Sequence, residues 1–270
     1  MNADSKSRIP LAVKNIVRKG FPGLTSRYRR LMYRAAHTPR ISFSFAGEDI
    51  LISFILEDNR KKIRWVDVGC AHPIFDNNTY RFYRKGGLGV NVDARKSLKL
   101  AYRVFRPRDR FVNAVVSDRV DNQPVEFFVN PDDPHMSSIS ANWARGHLSS
   151  TRGLKSVLVG QVTLAQIFRL NSDFLGLQTA ELRNESILIL SVDVEGHDLS
   201  VLQSNDWDAY TPDIICVETI ESRSMSDLEA NIIFKFLSSK KYELVSFSPL
   251  TSIFKLKSAA LSYTPVNLTS

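Results

Sequence analysis

The feature that most constrains this chain is a series of short apolar runs, each separated from the next by a stretch with helical character. Ile63–Val68, Gly89–Val92, Phe111–Val116, Ile187–Val192 and Ile214–Val217 have strand length and are rich in β-branched residues. Successive strand residues point to opposite sides of a sheet, so runs that stay apolar have no solvent face. Strands of that kind belong to a mostly parallel sheet with helices on both faces. Helices are expected over Thr163–Leu170, from Asp198 to Leu202, and over Leu228–Leu237. Two last strands, Glu243–Phe247 and Ser252–Leu256, share a short link containing Ser248 and Pro249, which predicts an antiparallel hairpin at the end of the sheet. Val125–Val129 reads as a strand of a β-excursion, and Asn130–Gly153, rich in Pro, Ser and Gly, as a long loop with one short helix. The expectation is one doubly wound α/β domain over residues 41–270, behind a separate segment, 1–40.

That segment differs from the rest in charge. Residues 1–40 carry ten basic side chains against one acid, Asp4, so they hold +9 of a chain whose net charge is +8. The body therefore sums to −1, which argues against a nucleic-acid enzyme with a basic cleft and for a small or neutral substrate. Leu11, Val13, Ile16 and Val17 come near helical spacing, Gly20–Gly23 reads as a turn, and Tyr28, Leu31, Met32 and Tyr33 lie among arginines. Such a basic amphipathic arm suits an anionic membrane surface or an acidic partner; the other reading is a helical extension with solvated charges.

Two cysteines, Cys70 and Cys216, rule out a disulfide scaffold and a four-cysteine zinc site. No apolar run approaches the roughly 18 residues of a membrane span, and Lys14 interrupts the only apolar stretch near the start. A cytoplasmic location is expected.

In a doubly wound sheet, ligands bind beyond the carboxyl ends of the strands, and four of these ends carry unusual residues. The first is Asp67-Val68-Gly69-Cys70-Ala71-His72, followed by Asn77-Asn78-Thr79-Tyr80. Gly69 lets a ligand approach the backbone, and Asp67 either holds an ammonium group or orients the loop. No G-x-G-x-x-G and no P-loop is present, which counts against a nicotinamide oxidoreductase. The second end is Asp93, 26 residues after Asp67, placed either to accept from ribose hydroxyls or to cap a helix. The third end is Asn113-Ala114, running on to Ser117-Asp118, and would line a flat adenine slot or be an ordinary strand exit.

The fourth end is the densest: Asp193, Glu195, His197 and Asp198 put four ionisable groups into six residues, and Glu218 and Glu221 follow the next strand. Buried charge at that density points to a polar cleft. Asp198 reads as a helix cap. His197 and His72 are both candidate general bases.

Read in order, Val66-Asp67-Val68-Gly69 through Asn78-Thr79-Tyr80, Gly89-Val90-Asn91-Val92-Asp93, Asp193-Val194-Glu195-Gly196-His197-Asp198 and Pro212-Asp213-Ile214-Ile215-Cys216-Val217-Glu218 resemble the FkbM-type methyltransferase family, over roughly residues 60–256. The resemblance implies a Rossmann-like class I methyltransferase fold and S-adenosylmethionine-dependent O-methylation, often of sugar hydroxyls in polysaccharides, glycolipids or natural products. It places Asp67, Gly69 and Cys70 around the methionine part of the cofactor, Asn78 and Thr79 beside them, and Asp93 on the ribose. Ser137 and Ser138 fall where relatives often have a mid-chain serine, and Asp193 and Glu195 where they have active-site carboxylates. Many relatives have Glu-Pro at Asp93-Ala94 and Gly-Trp before that strand, where this chain has Gly87-Leu88-Gly89.

Asp193 or Glu195, or else a histidine, would take the acceptor's proton. A divalent metal on Asp193, Glu195 and Glu218 is compatible with oxygen ligands but not required by the spacing. The partner expected is a sugar-containing acceptor, and a lipid-linked one would give the basic arm a peripheral role at the inner membrane surface. Nucleic acid is not expected. The alternative is a non-catalytic binding protein recruited through its arm.

Overall fold

The computed structural model describes residues 40–56, 61–118, 123–130, 136–146, 154–219, 222, 224–248 and 250–257. The basic arm, parts of the 130–153 loop and Glu221 thus lie outside the described residues, apart from Arg40 and the stretches just given.

Seven strands form the main sheet: β1 (Lys62–Val68), β2 (Leu88–Asp93), β3 (Arg110–Asn113), β8 (Ser186–Val192), β9 (Ile214–Glu218), β10 (Tyr242–Phe247) and β11 (Thr251–Leu256). Their order is β10-β11-β9-β8-β1-β2-β3. β1, β2, β3, β8 and β9 are parallel, while β11 runs antiparallel to β9 and to β10. This is the doubly wound α/β sheet with a closing antiparallel hairpin expected from the apolar runs, and it agrees with the Rossmann-like fold that the family resemblance implies. Strand order reverses between β1 and β8, which makes their carboxyl ends the switch point.

The apolar runs have no polar alternation because both faces are covered. On β8, Leu188, Leu190 and Val192 join one core cluster and Ile187 and Ile189 the other; on β9, Ile215 and Val217 split from Ile214 and Cys216 in the same way. Helices Leu164–Leu170, Asp198–Gln203 and Ile232–Ser239 cover the first face. Helices Glu48–Ile55 and Tyr80–Arg84 supply Ile52, Phe82 and Tyr83 to the second.

Two expectations need correction, and a third gains a partner strand. Phe111–Val116 is two strands: β3 stays in the main sheet, and β4 (Val115–Val116) leaves it after Ala114 to pair with β7 (Gln161–Val162). β5 (Val125–Val129) pairs with β6 (Lys155–Val159), a strand that follows the 130–153 loop and whose residues are mostly exposed. The helix expected over 228–237 is broken at Asn231, whose extended backbone ends Met225–Ala230 and whose side chain accepts from Ile233 N–H to start Ile232–Ser239. No helix among the described residues is long and apolar enough to cross a membrane.

Candidate functional site

The carboxyl ends of β1, β2, β8 and β9 floor a cavity of about 330 Å³, within the range of sites that enclose small organic ligands. Gly69 sets its depth. Its φ is +78°, and a Cβ there would overlap the Asp193 carbonyl oxygen and sit 2.7 Å from the carbonyl carbon. Only glycine lets β1 and β8 stay this close, with Asp193 N–H bonded to Val68 O at 3.0 Å. Four non-glycine residues among those described have positive φ, and three of them, Ala71, Asp76 and Glu195, line this cavity. Backbone strain of this kind concentrates where the surrounding structure holds a site in shape.

At one end lies Asp93. Its Oδ1 accepts from Arg95 N–H at 2.8 Å and Arg95 Nε at 3.0 Å; its Oδ2 accepts from Ala71 N–H at 3.1 Å and Arg95 Nη2 at 2.8 Å. Ala94, Ala114, Val115 and Val116 make the adjoining wall. Asn113 does not line the cavity; its Nδ2 donates to the Asp93 and Ala94 carbonyls at 2.9 and 2.8 Å and fixes the loop that carries them.

Several residues of the β1 end act behind the wall rather than in it. Asp67 is buried and accepts from Thr79 Oγ1 at 3.0 Å. Burial pushes its carboxyl above the usual range, against the pull of Arg106. The arrangement orients the loop, and Asp67 is not part of the cavity lining. Cys70 is buried as well. Burial, with Asp93 and Asp67 nearby, pushes its thiol well up, so it stays protonated and unreactive. His72 lies outside the lining; its Nδ1 accepts from Ile74 and Phe75 N–H at 3.2 and 3.1 Å, which commits that nitrogen to the turn. Asn78 does reach the cavity, and its Nδ2 donates to Ser191 Oγ at 3.3 Å.

This loop is held by residues that the sequence did not single out. Asn77 Oδ1 accepts from Thr79 and Tyr80 N–H, while its Nδ2 donates to the Cys70 and His72 carbonyls. Arg106, fully buried, donates to Asn77 Oδ1 and Thr79 Oγ1 at 3.0 Å each and pairs with Asp109 at 2.6 Å. Trp65, Tyr83 and Tyr102 surround its guanidinium, an aromatic setting that suits arginine's weakly hydrated charge.

The opposite end is acidic. Asp193, Glu195 and Glu218 present carboxylate oxygens within 4.8 Å of one another. Glu48, from the helix before β1, and His197 join them in the lining. Asp193 is exposed to the cavity. Partial desolvation there, reinforced by Glu195, Asp198, Asp67 and Glu48, pushes its carboxyl well above the usual range. Burial, then Asp193, Asp198 and Glu195, pushes Glu218 up to about 10. Carboxylates packed this closely cannot all ionise, so the cluster keeps a proton at neutral pH, held by Glu218. Among the described residues, buried Glu218 Oε2 has no hydrogen-bond partner. The three carboxylates thus offer hard oxygen donors that fit a divalent cation, and equally a proton acceptor for a hydroxyl.

Two contacts set this end's shape. Ser138 Oγ donates to the Glu195 carbonyl at 3.0 Å, which holds Glu195 in its left-handed conformation. Asp198 does not cap its own helix. It accepts from Val194 N–H at 3.2 Å, bracing the 193–198 turn, and burial raises it to about 6. Met136, Ser137 and Ile139 close part of the mouth from the mid-chain loop, and Leu250 and Thr251 close another part from the β10–β11 hairpin.

The sequence thus brings Gly69, Asn78, Asp93, Ala114, Asp193, Glu195, His197 and Glu218 into one cavity, while Asp67, Cys70, His72, Thr79, Asn113 and Ser138 stand around it. Glu48 and Arg95 were missed. Arg95 lies only two residues after Asp93, a signal close to the strand end; nothing local marks Glu48.

Comparison with known proteins adds three findings. The model of the methyltransferase FkbM domain matches residues 67–244. Among solved structures, a TehB-like SAM-dependent methyltransferase from Corynebacterium glutamicum is similar at 13% identity and a TM-score of 0.36, covering 87% of this chain and 100% of that one. No curated protein matches the sequence.

Proposed function

The chain belongs to the FkbM methyltransferase family, and from that membership we propose that it methylates a sugar hydroxyl of a polysaccharide, glycolipid or glycosylated natural product, with S-adenosylmethionine as donor. One observation carries this reading: a single cavity has a diol-binding type of acid, Asp93, at one end and the Asp193, Glu195 and Glu218 carboxylates at the other. The close backbone approach at Gly69 between the two fits a bulky donor lying across the strand ends. The donor brings a methyl group already activated on sulfur. The protein's tasks are to align the acceptor oxygen, exclude water and receive a proton.

A sugar hydroxyl is a weak nucleophile near neutral pH. Asp193 is the proposed base, because its raised pKa makes it a better proton acceptor than an ordinary carboxylate. Glu195 and His197 stand beside it to orient neighbouring hydroxyls. Val68, Val92, Phe127 and Ile139 give the cavity apolar walls that keep competing water out. If a divalent cation binds, Asp193, Glu195 and Glu218 would hold it, and it would polarise the acceptor hydroxyl.

Calorimetric titration with S-adenosylhomocysteine tests the assignment. Micromolar binding by the wild type, lost in Asp93→Ala, supports it; a folded wild type that binds none refutes it. For a lipid-linked acceptor we also propose that residues 1–40 hold the enzyme on an anionic membrane, motivated by their +9 charge. Deleting them should abolish binding to anionic liposomes, and liposome binding that survives the deletion removes this role.

A further inference from the structure

We propose that Arg95 is a built-in competitor for Asp93, and that its guanidinium must leave the carboxylate before a ribose can bind. This rests on the cofactor assignment above. All four good acceptor positions of the Asp93 carboxylate are filled, two by the backbone N–H groups of Ala71 and Arg95 and two by the Arg95 side chain. The backbone donors are Ala71 N–H, from the loop after β1, and Arg95 N–H, from the turn after Asp93, and both are fixed by the chain path. Only the guanidinium can be exchanged.

The geometry of the exchange is specific. Arg95 spans the carboxylate with Nε on Oδ1 at 3.0 Å and Nη2 on Oδ2 at 2.8 Å, a two-pronged grip that offers one donor to each oxygen. The vicinal 2′,3′-diol of a ribose likewise offers two donors to one carboxylate. The guanidinium therefore occupies the diol's place. Asp93 is 4% exposed and the Arg95 side chain 14%, so the pair is shielded from water and its rupture is not offset by free solvation of both partners. Arg95 also lines the cavity itself, so the blocking group sits inside the site. Nucleoside affinity is then the intrinsic affinity of a freed Asp93 reduced by the fraction of molecules in which Arg95 has let go. Arg95 acts through Asp93 and is a positioning residue.

The test is titration of wild type, Arg95→Gln and Arg95→Lys with S-adenosylhomocysteine, adenosine and adenine. Glutamine keeps most of the stem and removes the charge and the fork; lysine keeps the charge but cannot grip both oxygens. Arg95→Gln should bind S-adenosylhomocysteine and adenosine about tenfold or more tightly than wild type, with Arg95→Lys in between. Adenine, which lacks the ribose, should bind all three alike. Unchanged or weaker nucleoside binding in Arg95→Gln overturns the proposal, as does an equal gain for adenine. Should Arg95→Gln fail to fold, Arg95→Lys decides the matter by the same comparison. If no form binds any of the three compounds, the cofactor assignment itself falls, and this role with it.

Discussion

Replacing Gly69 with alanine adds one methyl group at the point where β1 and β8 are closest, and its effect can be worked out from two separate terms. The first is conformational: φ is +78°, and placing an L-residue in the left-handed region costs roughly 1–2 kcal/mol. The second is steric. The new Cβ overlaps the Asp193 carbonyl oxygen and lies 3.3 Å from Val194 Cγ1, so the end of β8 has to shift. Forcing a methyl into a packed site costs about 1–3 kcal/mol, which brings the total to about 2–5 kcal/mol. Gly86 supplies the control. Its φ is +92°, and a Cβ there would meet nothing within 4 Å, so Gly86→Ala carries only the conformational term. Urea denaturation of both variants, with S-adenosylhomocysteine titration of each, separates the terms. Gly69→Ala should be less stable than Gly86→Ala by at least about 1 kcal/mol and should lose binding, because Asp193 moves with the strand end. Equal destabilisation of the two, or wild-type binding by Gly69→Ala, would refute the close-approach reasoning.

Two further predictions concern the acidic end. Asp193→Asn should lower kcat about 10²–10⁴-fold with little change in S-adenosylhomocysteine affinity. Wild-type activity should rise with pH through the raised pKa of Asp193, placing its acid limb above the ordinary carboxylate range; a limb near pH 4 would exclude Asp193 as the base. Glu218 should make stability pH-dependent. Its folded pKa of about 10 lies above the unfolded value of 4.5, so between those pH values the folded chain keeps a proton that the unfolded chain has released. Stability therefore falls as pH rises across that window, by at most about 1.4 kcal/mol per unit. Glu218→Gln should flatten the slope, seen as a larger gain in Tm near pH 8 than near pH 5; an equal gain at both would show that Glu218 ionises normally.

The parts of the fold that were legible share a cause. β1, β2, β8 and β9 are buried on both faces, so their apolar runs are strong and short, and their ends can be placed to within a residue or two. The weakly patterned pieces were not legible. β6, Lys-Ser-Val-Leu-Val, has four exposed residues and, among the described residues, one partner strand, so burial imposes no pattern on it. The break at Asn231 rests on one side chain capping a new helix inside an otherwise continuous helical pattern. In the site, charged residues directly after strands were conspicuous. Arg106 was not, because a lone arginine after a helix looks solvent-exposed until Trp65, Tyr83 and Tyr102 are seen around it.

By itself, the sequence determined which strands lie in the middle of the sheet and which residues stand at their carboxyl ends, because apolar periodicity and the chemistry of strand termini are local properties of the chain. Tertiary structure alone decided what those ends do to one another. Glu48 acts on Asp193 from a helix that precedes the whole sheet, Ser138 fixes the conformation of Glu195 from 57 residues away, and the raised pKa of the carboxylate cluster exists only once β8 and β9 are side by side. Electrostatic coupling, steric contact and enclosure depend on distance in space, which no single stretch of sequence records.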